Sequence, residues 1–546
     1  MPHRTPLAVE SAAAMSGHAQ MVAQLRRPGA CGGHPDPAGL IETHISSVLL
    51  AGHRVFKLKK PVRLPFVDFS TLELRHEACQ QELRLNRRTA PRWYLEVVPV
   101  RNSPTGALIT VGRATGVQHP DEVIDWAVMM RRFDDRQLFK RLADSGQLSA
   151  AMVVDLAAVV ARFHAQQTPA PPGFGRAEAT RHVARQNMAE LAALVNASSA
   201  GLALPEAGAA SGVVALQRWT ENRGAELATL MDLRCRTGHV REVHGDLHLG
   251  NIVWAEGAPV LFDALEFNDT MRHIDTMGDL AFTFMDLNAH SLPRLAWLFI
   301  STVLEASGDH AALPLLAWWA VHRAAVRAKV ALLGAAGQGA DASALVAQAQ
   351  RYLSVATRLA GLDRSAPPPR LVLTFGLSGS GKTGAAGQLA QRLGALRVRS
   401  DVERKRLFAL PPTGRGTPGL YAPEANRRTY ERLQEVADLA LGAGVSLVVD
   451  AASLQRQERD AMRAVAARHG AAFHLLVCQA PLPVLQARVA ARQAEGRDAS
   501  DATPEVLARQ QHWAEWPGAD EAADTWVLDT DGSLDEVSQR IEALAV

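Results

Sequence analysis

The chain is predicted to hold two unrelated parts: an α+β part of two lobes, then an α/β part with a parallel sheet. Three observations predict this. Short β-rich runs fill residues 45 to 135 and give way to long amphipathic stretches from about 146 to 362. A run of prolines stands in residues 363 to 369, DRSAPPP. Beyond it, short apolar strand candidates alternate with helical segments to the C terminus, as in a parallel sheet covered by helices on both faces. At 546 residues the chain also exceeds what one core of ordinary size takes up.

Composition narrows the class. A hydrophobic fraction of 47% with 21% charged residues is that of a folding, globular chain. Lys plus Arg number 58 against 56 for Asp plus Glu, so a net charge of +2 provides no broad field for nucleic acid, and no nucleic-acid partner is expected. The four cysteines, Cys31, Cys79, Cys235 and Cys478, form no CxxC pair, which removes a spelled-out zinc site or disulfide framework. No signal-peptide h-region or membrane-length apolar run is present, and a cytoplasmic protein without membrane contact is expected.

In order along the chain, residues 1 to 39 read as a loosely ordered lead-in with one short helix near MVAQLRR. The runs SSVLLA, RVFKLKK, WYLEVVPV and IDWAVMM predict a small mixed sheet, with a helix over 71 to 89, in a lobe of about 40 to 135. A helical lobe of about 136 to 362 follows, interrupted by NIVWAEGAPVLFD, which reads as a hairpin turning at AEGAP. The prolines of 363 to 369 neither continue a helix nor donate to a central strand, so they predict a linker and give no reason to expect one core shared across it. Strands RLVLTF, LRVRSD, VSLVVD, FHLLVCQ and DTWVLD then build the 370 to 546 domain.

HGDLHLGN, residues 244 to 251, carries chemistry. Phosphoryl transfer asks a protein for a base that orients the acceptor hydroxyl and for oxygen ligands that hold Mg²⁺ on the phosphates. Asp246 is placed as the base, Asn251 five residues on as a metal ligand, and Asp263, after the hairpin, as the metal carboxylate. The bland alternative is that all three cap turns, as Asx residues commonly do.

On these residues the stretch 40 to 362 resembles the aminoglycoside phosphotransferase family, which implies a protein-kinase-like fold of two lobes with an HGDxxxxN catalytic loop. The resemblance implies a phosphate-binding lysine on the third strand, Lys57 or Lys59, positioned by a helix glutamate, Glu82. Both lysines alternatively read as solvated edge-strand residues. No GxGxxG covers the phosphates, the hairpin turn being AGHR, and no DFG or APE is present, which points away from protein kinases. Arg272, Asp275 and Asp279 match the family's pattern and read as a helix-start ion pair anchoring the loop. Glu266 and His248 are open between direct and supporting roles.

GLSGSGKT, residues 376 to 383, fits GxxxxGK[ST] between a strand and a helix. In such a loop the backbone N–H groups of Gly376, Ser378, Gly379, Ser380 and Gly381 turn toward phosphate, Lys382 reaches the outer phosphates and Thr383 reaches Mg²⁺. Asp401 ends LRVRSD, where a carboxylate can orient an acceptor hydroxyl, and Asp450 ends VSLVVD with a direct or indirect role at Mg²⁺. Arg488 and Arg492, four apart on one helical face with Arg497 beyond, suit a lid over transferring phosphate or a solvated helix surface.

This half resembles the P-loop small-molecule kinases, the group of gluconate kinase, chloramphenicol phosphotransferase and the zeta toxins. The whole chain resembles a bacterial family of fusions described as bifunctional aminoglycoside phosphotransferase and ATP-binding proteins. The resemblance implies an ATP- and Mg²⁺-dependent kinase with two nucleotide sites acting on small hydroxylated molecules. A nucleotide-gated sensor with little turnover is the rival, and the acceptors are not named by any local motif.

Overall fold

The computed structural model describes residues 6–64, 67–111, 123–197, 203–204, 207–335, 342–363, 368–411, 419–495 and 502–544. The lead-in departs from expectation. Residues Pro6–Leu25 form one 20-residue helix whose Met21, Val22 and Leu25 are buried against Phe56, Leu58, Ile109 and Ala127 of the small lobe. Its alanine-rich N-terminal half favours the helix, and the apolar residues that dock it lie in its last two turns, where a short local pattern reads as little more than a turn.

The small lobe is a six-stranded antiparallel sheet in the order Gly39–Glu42, Ser46–Ala51, Arg54–Lys59, Val123–Arg131, Tyr94–Ser103, Gly106–Ile109. Side-chain alternation in Arg54–Lys59 sends Phe56 and Leu58 into that core and turns Lys57 and Lys59 to the opposite face. On that face lies the helix Leu72–Asn86, begun by the Thr71 hydroxyl accepting from the Leu74 amide, with Cys79 and Leu83 packed on Tyr94 and Val128. The same helix points Glu82 at the two lysines.

The helical lobe is interrupted by the expected hairpin, Ile252–Ala255 against Ala258–Leu261. Its turn residues Glu256 and Gly257 both take left-handed φ, 53° and 79°, as a two-residue hairpin turn requires. Arg84 of the small-lobe helix and Arg88 just past its end meet Glu242 of the large lobe at 2.7 and 3.3 Å, and Arg272 joins at 3.1 Å, so one carboxylate clamps the lobes just ahead of the HGD loop.

The C-terminal domain is a five-stranded parallel sheet in the order Leu396–Arg399, Leu447–Asp450, Arg370–Phe375, Ala472–Gln479, Thr525–Asp529. GLSGSGKT joins the central strand Arg370–Phe375 to the helix Lys382–Leu393. Of the linker, residues 364–367 lie outside the described residues.

The two halves do share a core, contrary to expectation. Helix Pro293–Ser307 packs on the helices Ala150–Gln166 and Thr276–Ala289 of its own lobe, and also on Lys382–Leu393 and the strand Leu396–Arg399. One apolar cluster therefore runs from Phe139 through Phe299 to Leu396 and Leu433. Leu298 and Ser301 face Gly387, Ala390 and Ala395, small residues that permit close approach. The interface is assembled from residues about ninety apart in sequence, and a proline run reports only on the connection. No helix among the described residues is long and apolar enough to cross a membrane.

Burial alone would raise the Glu242 carboxyl, but Arg84, Arg88 and Arg272 outweigh it and hold the group near 2. A depressed folded-state value means its stabilisation is present above the unfolded value of about 4.3 and is lost as pH falls through the folded one. Glu242→Gln should therefore be less stable than wild type near pH 7, with the gap closing between about pH 4.5 and 2. Urea melts across that range check it, and a gap independent of pH would contradict the clamp.

Candidate active sites

In the first site the HGD loop owes its shape to one buried helix, Thr276–Ala289. Asp279 accepts from the backbone amides of His244 (3.2 Å) and Gly245 (2.9 Å) and pairs with His164 at 2.9 Å. Thr283 donates to the Leu247 carbonyl at 2.7 Å, and Asp286 accepts from the Leu249 amide at 2.9 Å and from the Tyr352 hydroxyl at 3.0 Å. Gly245 sits at φ 83°, and a Cβ there would lie 3.1 Å from Leu265, which is why the loop spells glycine before its aspartate.

Arg272, Asp275 and Asp279 do anchor the region, but not as one ion pair. Asp275 caps its own helix by accepting from the Met277 amide and pairs with Arg234 at 2.7 Å, while Arg272 pairs with Glu242 and Asp269. Each found a partner brought close only by the tertiary fold.

Asp246 and Asn251 are brought together: the Asn251 Nδ2 donates to the Asp246 carboxylate at 2.9 Å. The hairpin returns the chain so that the Phe262 amide donates to the Asn251 carbonyl at 3.0 Å, setting Asp263 beside them. Asp263 takes φ 60°, a strained value for a residue with a side chain, held by its amide on Tyr94 Oη (3.1 Å) and by the Ala264 amide on Asn86 Oδ1 (2.8 Å). Burial would raise the Asp246 carboxyl, but His248, Arg327 and His244 together hold it well below the usual carboxylate range, so it is an anion at neutral pH. A carboxylate so placed, 36% exposed, can accept a hydrogen bond from an incoming hydroxyl.

Both lysines of VFKLKKP reach this site, and neither is a solvated edge residue. Lys57 Nζ bridges Glu82 (2.9 Å) and Asp263 (2.5 Å), whereas Lys59 is fully buried between Glu82 and Glu266. Burial pushes both carboxyls up; the two ammonium groups override this at Glu82, whose carboxyl is lowered. Glu266, with Lys59 on one side and the Glu82 charge near, is raised. His248 Nδ1 accepts from the Gly250 amide (3.0 Å), which leaves the hydrogen on Nε2, 3.5 Å from the Asp246 carboxylate; Arg327 Nη1 stands 3.3 Å from the same Nε2.

The second site is a cavity of about 880 Å³ bordered by Ser378 to Gly384, Asp401, Arg404, Asn426, Asp450, Arg488 and Arg492. Gly376, at φ 148°, would place a Cβ 2.4 Å from the Cys478 carbonyl, so only glycine closes the loop on the neighbouring strand. Lys382 Nζ donates to the carbonyls of Gly376 and Leu377, both at 2.8 Å, and burial lowers its pKa. Asp401 lies in the first turn of the helix Ser400–Leu407, just past its strand. Arg488 braces the loop, donating to the Thr530 carbonyl at 2.8 Å and to the Gly379 carbonyl at 3.4 Å, so it is no solvated surface residue; Arg497 lies outside the described residues.

Both sites suit a hard divalent cation by their donors. Asn251 and Asp263 offer oxygens in the first. In the second, Thr383 Oγ1 is 3.4 Å from Asp450 Oδ1, and the buried Asp450 Oδ2 has no hydrogen-bond partner among the described residues. Sequence reasoning missed Arg327, Asp286 and Arg404. Asp286 had a signal, since Asp279, Thr283 and Asp286 form an i, i+4, i+7 polar stripe on an otherwise apolar helix.

Fold and site together define a kinase-type phosphotransferase that uses ATP, with a protein-kinase-like domain followed by a P-loop kinase domain. A family model described as a phosphotransferase enzyme family matches residues 71–296, and one described as an AAA domain matches residues 371–517. Rv2004c of Mycobacterium tuberculosis (strain ATCC 25618 / H37Rv), an uncharacterized protein, is 30% identical over 498 residues, covering 89% of this chain and 93% of that one; Mb2027c of Mycobacterium bovis matches equally. The chain belongs to the family of these proteins. Among solved structures, a gluconokinase from Sinorhizobium meliloti is 20% identical, with a TM-score of 0.25, over 32% of this chain and 91% of that one. An ethanolamine kinase from Plasmodium vivax is 10% identical, with a TM-score of 0.35, over 58% and 81%.

The lysines separate by burial. Lys59→Met leaves Glu82 and Glu266 buried with one cation fewer and should cost about 3–5 kcal/mol. Lys57→Met should cost clearly less, because Asp263 is 40% exposed and Glu82 keeps Lys59. Denaturant unfolding of the two variants gives the ranking, and equal losses would contradict it.

Proposed function

We propose that the protein is an ATP- and Mg²⁺-dependent phosphotransferase with two working sites, each passing a phosphoryl group to a hydroxyl of a small molecule. The observation that carries this reading is the convergence of Asp246 and Asn251 of the HGD loop, Asp263 after the hairpin and Lys57 of the small-lobe strand, four residues from three segments. In the first site Asp246 orients the acceptor hydroxyl and takes its proton, Lys57 meets the phosphates, and Asn251 and Asp263 hold the metal. Lys59 and Glu82 fix Lys57 in place, and Glu266 supports Lys59. In the second, the backbone of Gly376 to Gly381, with Lys382 and the arginines Arg488 and Arg492, receives the triphosphate. Thr383 and Asp450 face the metal, and Asp401 orients the acceptor. Bound Mg²⁺ neutralises charge on the β- and γ-phosphates. A cavity of about 880 Å³ accommodates a nucleotide and a small acceptor together. The domains are taken as bounded near residues 362 and 370, with the helix Pro6–Leu25 included in the first.

A metabolite pool incubated with ATP and the full chain, scored for new phosphorylated masses, should yield two product classes. Asp246→Asn should lose one class by about 10²- to 10⁴-fold while nucleotide still binds, since it removes a base and no phosphate contact. Lys382→Ala should lose the other, together with one of two calorimetric equivalents of a non-hydrolysable ATP analogue. One equivalent in wild type, or unchanged products in Asp246→Asn, would overturn the two-site reading.

A further inference from the structure

Glu305 lies on the helix Pro293–Ser307, in the N-terminal half, yet both of its carboxylate oxygens engage the C-terminal domain. Oε2 accepts from Arg397 and Oε1 from Arg399, each at 3.3 Å. Arg399 in turn stands with Nε 3.7 Å from Asp450 Oδ2, a distance at which charge is felt but no hydrogen bond forms. Asp450 is 5% exposed, that oxygen accepts no hydrogen bond among the described residues, and its other oxygen faces Thr383 of the P-loop.

We infer that Glu305 is a positioning residue for the P-loop site: by holding Arg397 and Arg399, the N-terminal half keeps the Asp450 carboxylate available to the metal–nucleotide. The inference rests on the reading of the second site as one that binds nucleotide with Mg²⁺. Arg399 borders Asp450, and Glu305, an acid from across the domain boundary, pairs with both Arg399 and Arg397 of the same strand. Without Glu305, Arg399 needs to move by less than about 1 Å to hydrogen-bond Asp450 directly, and a guanidinium held on that carboxylate then opposes a divalent ion there. An exposed interface ion pair usually contributes about 0–1 kcal/mol of stability and nothing else. The distinguishing feature here is that the pair ends on a buried carboxylate of the site.

The test is calorimetric titration of the full chain with a non-hydrolysable ATP analogue at a series of Mg²⁺ concentrations, reading the isotherm that Lys382→Ala removes. Glu305→Gln should raise the Mg²⁺ needed for half-maximal affinity there about fivefold or more, and leave the other isotherm in place as a control for folding. Adding Arg399→Gln to Glu305→Gln should restore the Mg²⁺ requirement to within about twofold of wild type, since the two residues act as a coupled pair. Ser301→Ala breaks the neighbouring interface bond, Ser301 Oγ to the Arg397 amide at 3.1 Å, without altering charge, and should leave the requirement unchanged. Where Glu305→Gln fails to fold, Glu305→Asp, which keeps the charge on a shorter arm, should give a smaller shift in the same direction. An unchanged requirement in Glu305→Gln, or an equal shift in Ser301→Ala, overturns the inference. Absence of any Lys382-dependent isotherm in wild type overturns the reading of the second site, and the inference with it.

Discussion

A loop that presents a carboxylate at the floor of a cleft has backbone amides with no strand or helix to receive them, and buried amides left unpaired are costly. The helix Thr276–Ala289 answers that constraint with three side chains on one face, Asp279, Thr283 and Asp286, each bound to the main chain of residues 244 to 249. Buried carboxylates are themselves unfavourable. Here they are bonded to amides, to His164 and to Tyr352, and both are held below the usual carboxylate range against the effect of burial. The position of Asp246, of the hairpin after it and of Asp263 all descend from this arrangement.

The small lobe meets that frame through charge. Lys57, Lys59, Glu82, Glu266 and Asp263 form a chain of five ionised or ionisable groups from three segments, with Lys57 touching both the small-lobe helix and the large-lobe loop. Such a chain gives little net stability once desolvation is counted, but it is intolerant of losing a member. It therefore specifies lobe position more than it strengthens the fold. Glu242 and its three arginines act at the hinge side in the same manner, with more solvent around them.

What was legible in the sequence follows the range of the interactions. Four strands of the small lobe, the five of the parallel sheet and the hairpin at NIVWAEGAPVLFD were read from alternation and turn chemistry, which are local properties, whereas Gly39–Glu42 and Gly106–Ile109 were not, and the small-lobe sheet expected to be mixed is antiparallel. Asp246, Asn251 and Asp263 could be grouped because one hairpin joins them. Lys57 and Lys59 could not be told apart: alternation puts both on one face, and only the large-lobe partners Asp263 and Glu266 distinguish them. The helix Pro6–Leu25 was underestimated because its packing partners lie up to about a hundred residues away. Arg272, Asp275 and Asp279 were grouped as one helix-start ion pair by sequence proximity, whereas their partners Glu242, Arg234 and His164 lie elsewhere in the chain.

The strand Leu396–Arg399 is the outermost of its parallel sheet, and the amide of Arg397 points away from its neighbours into the Ser301 hydroxyl. An open sheet margin is a template for pairing with another chain, and proteins cover or charge such margins. This one is covered by a helix that the ribosome delivers some ninety residues earlier. The α/β domain thus emerges onto a surface already made, and its vulnerable border is shielded as soon as it forms. Severed from that helix, the same domain would display a bare strand flanked by Leu396 and Val398, with Arg397 and Arg399 as its remaining gatekeepers against self-association.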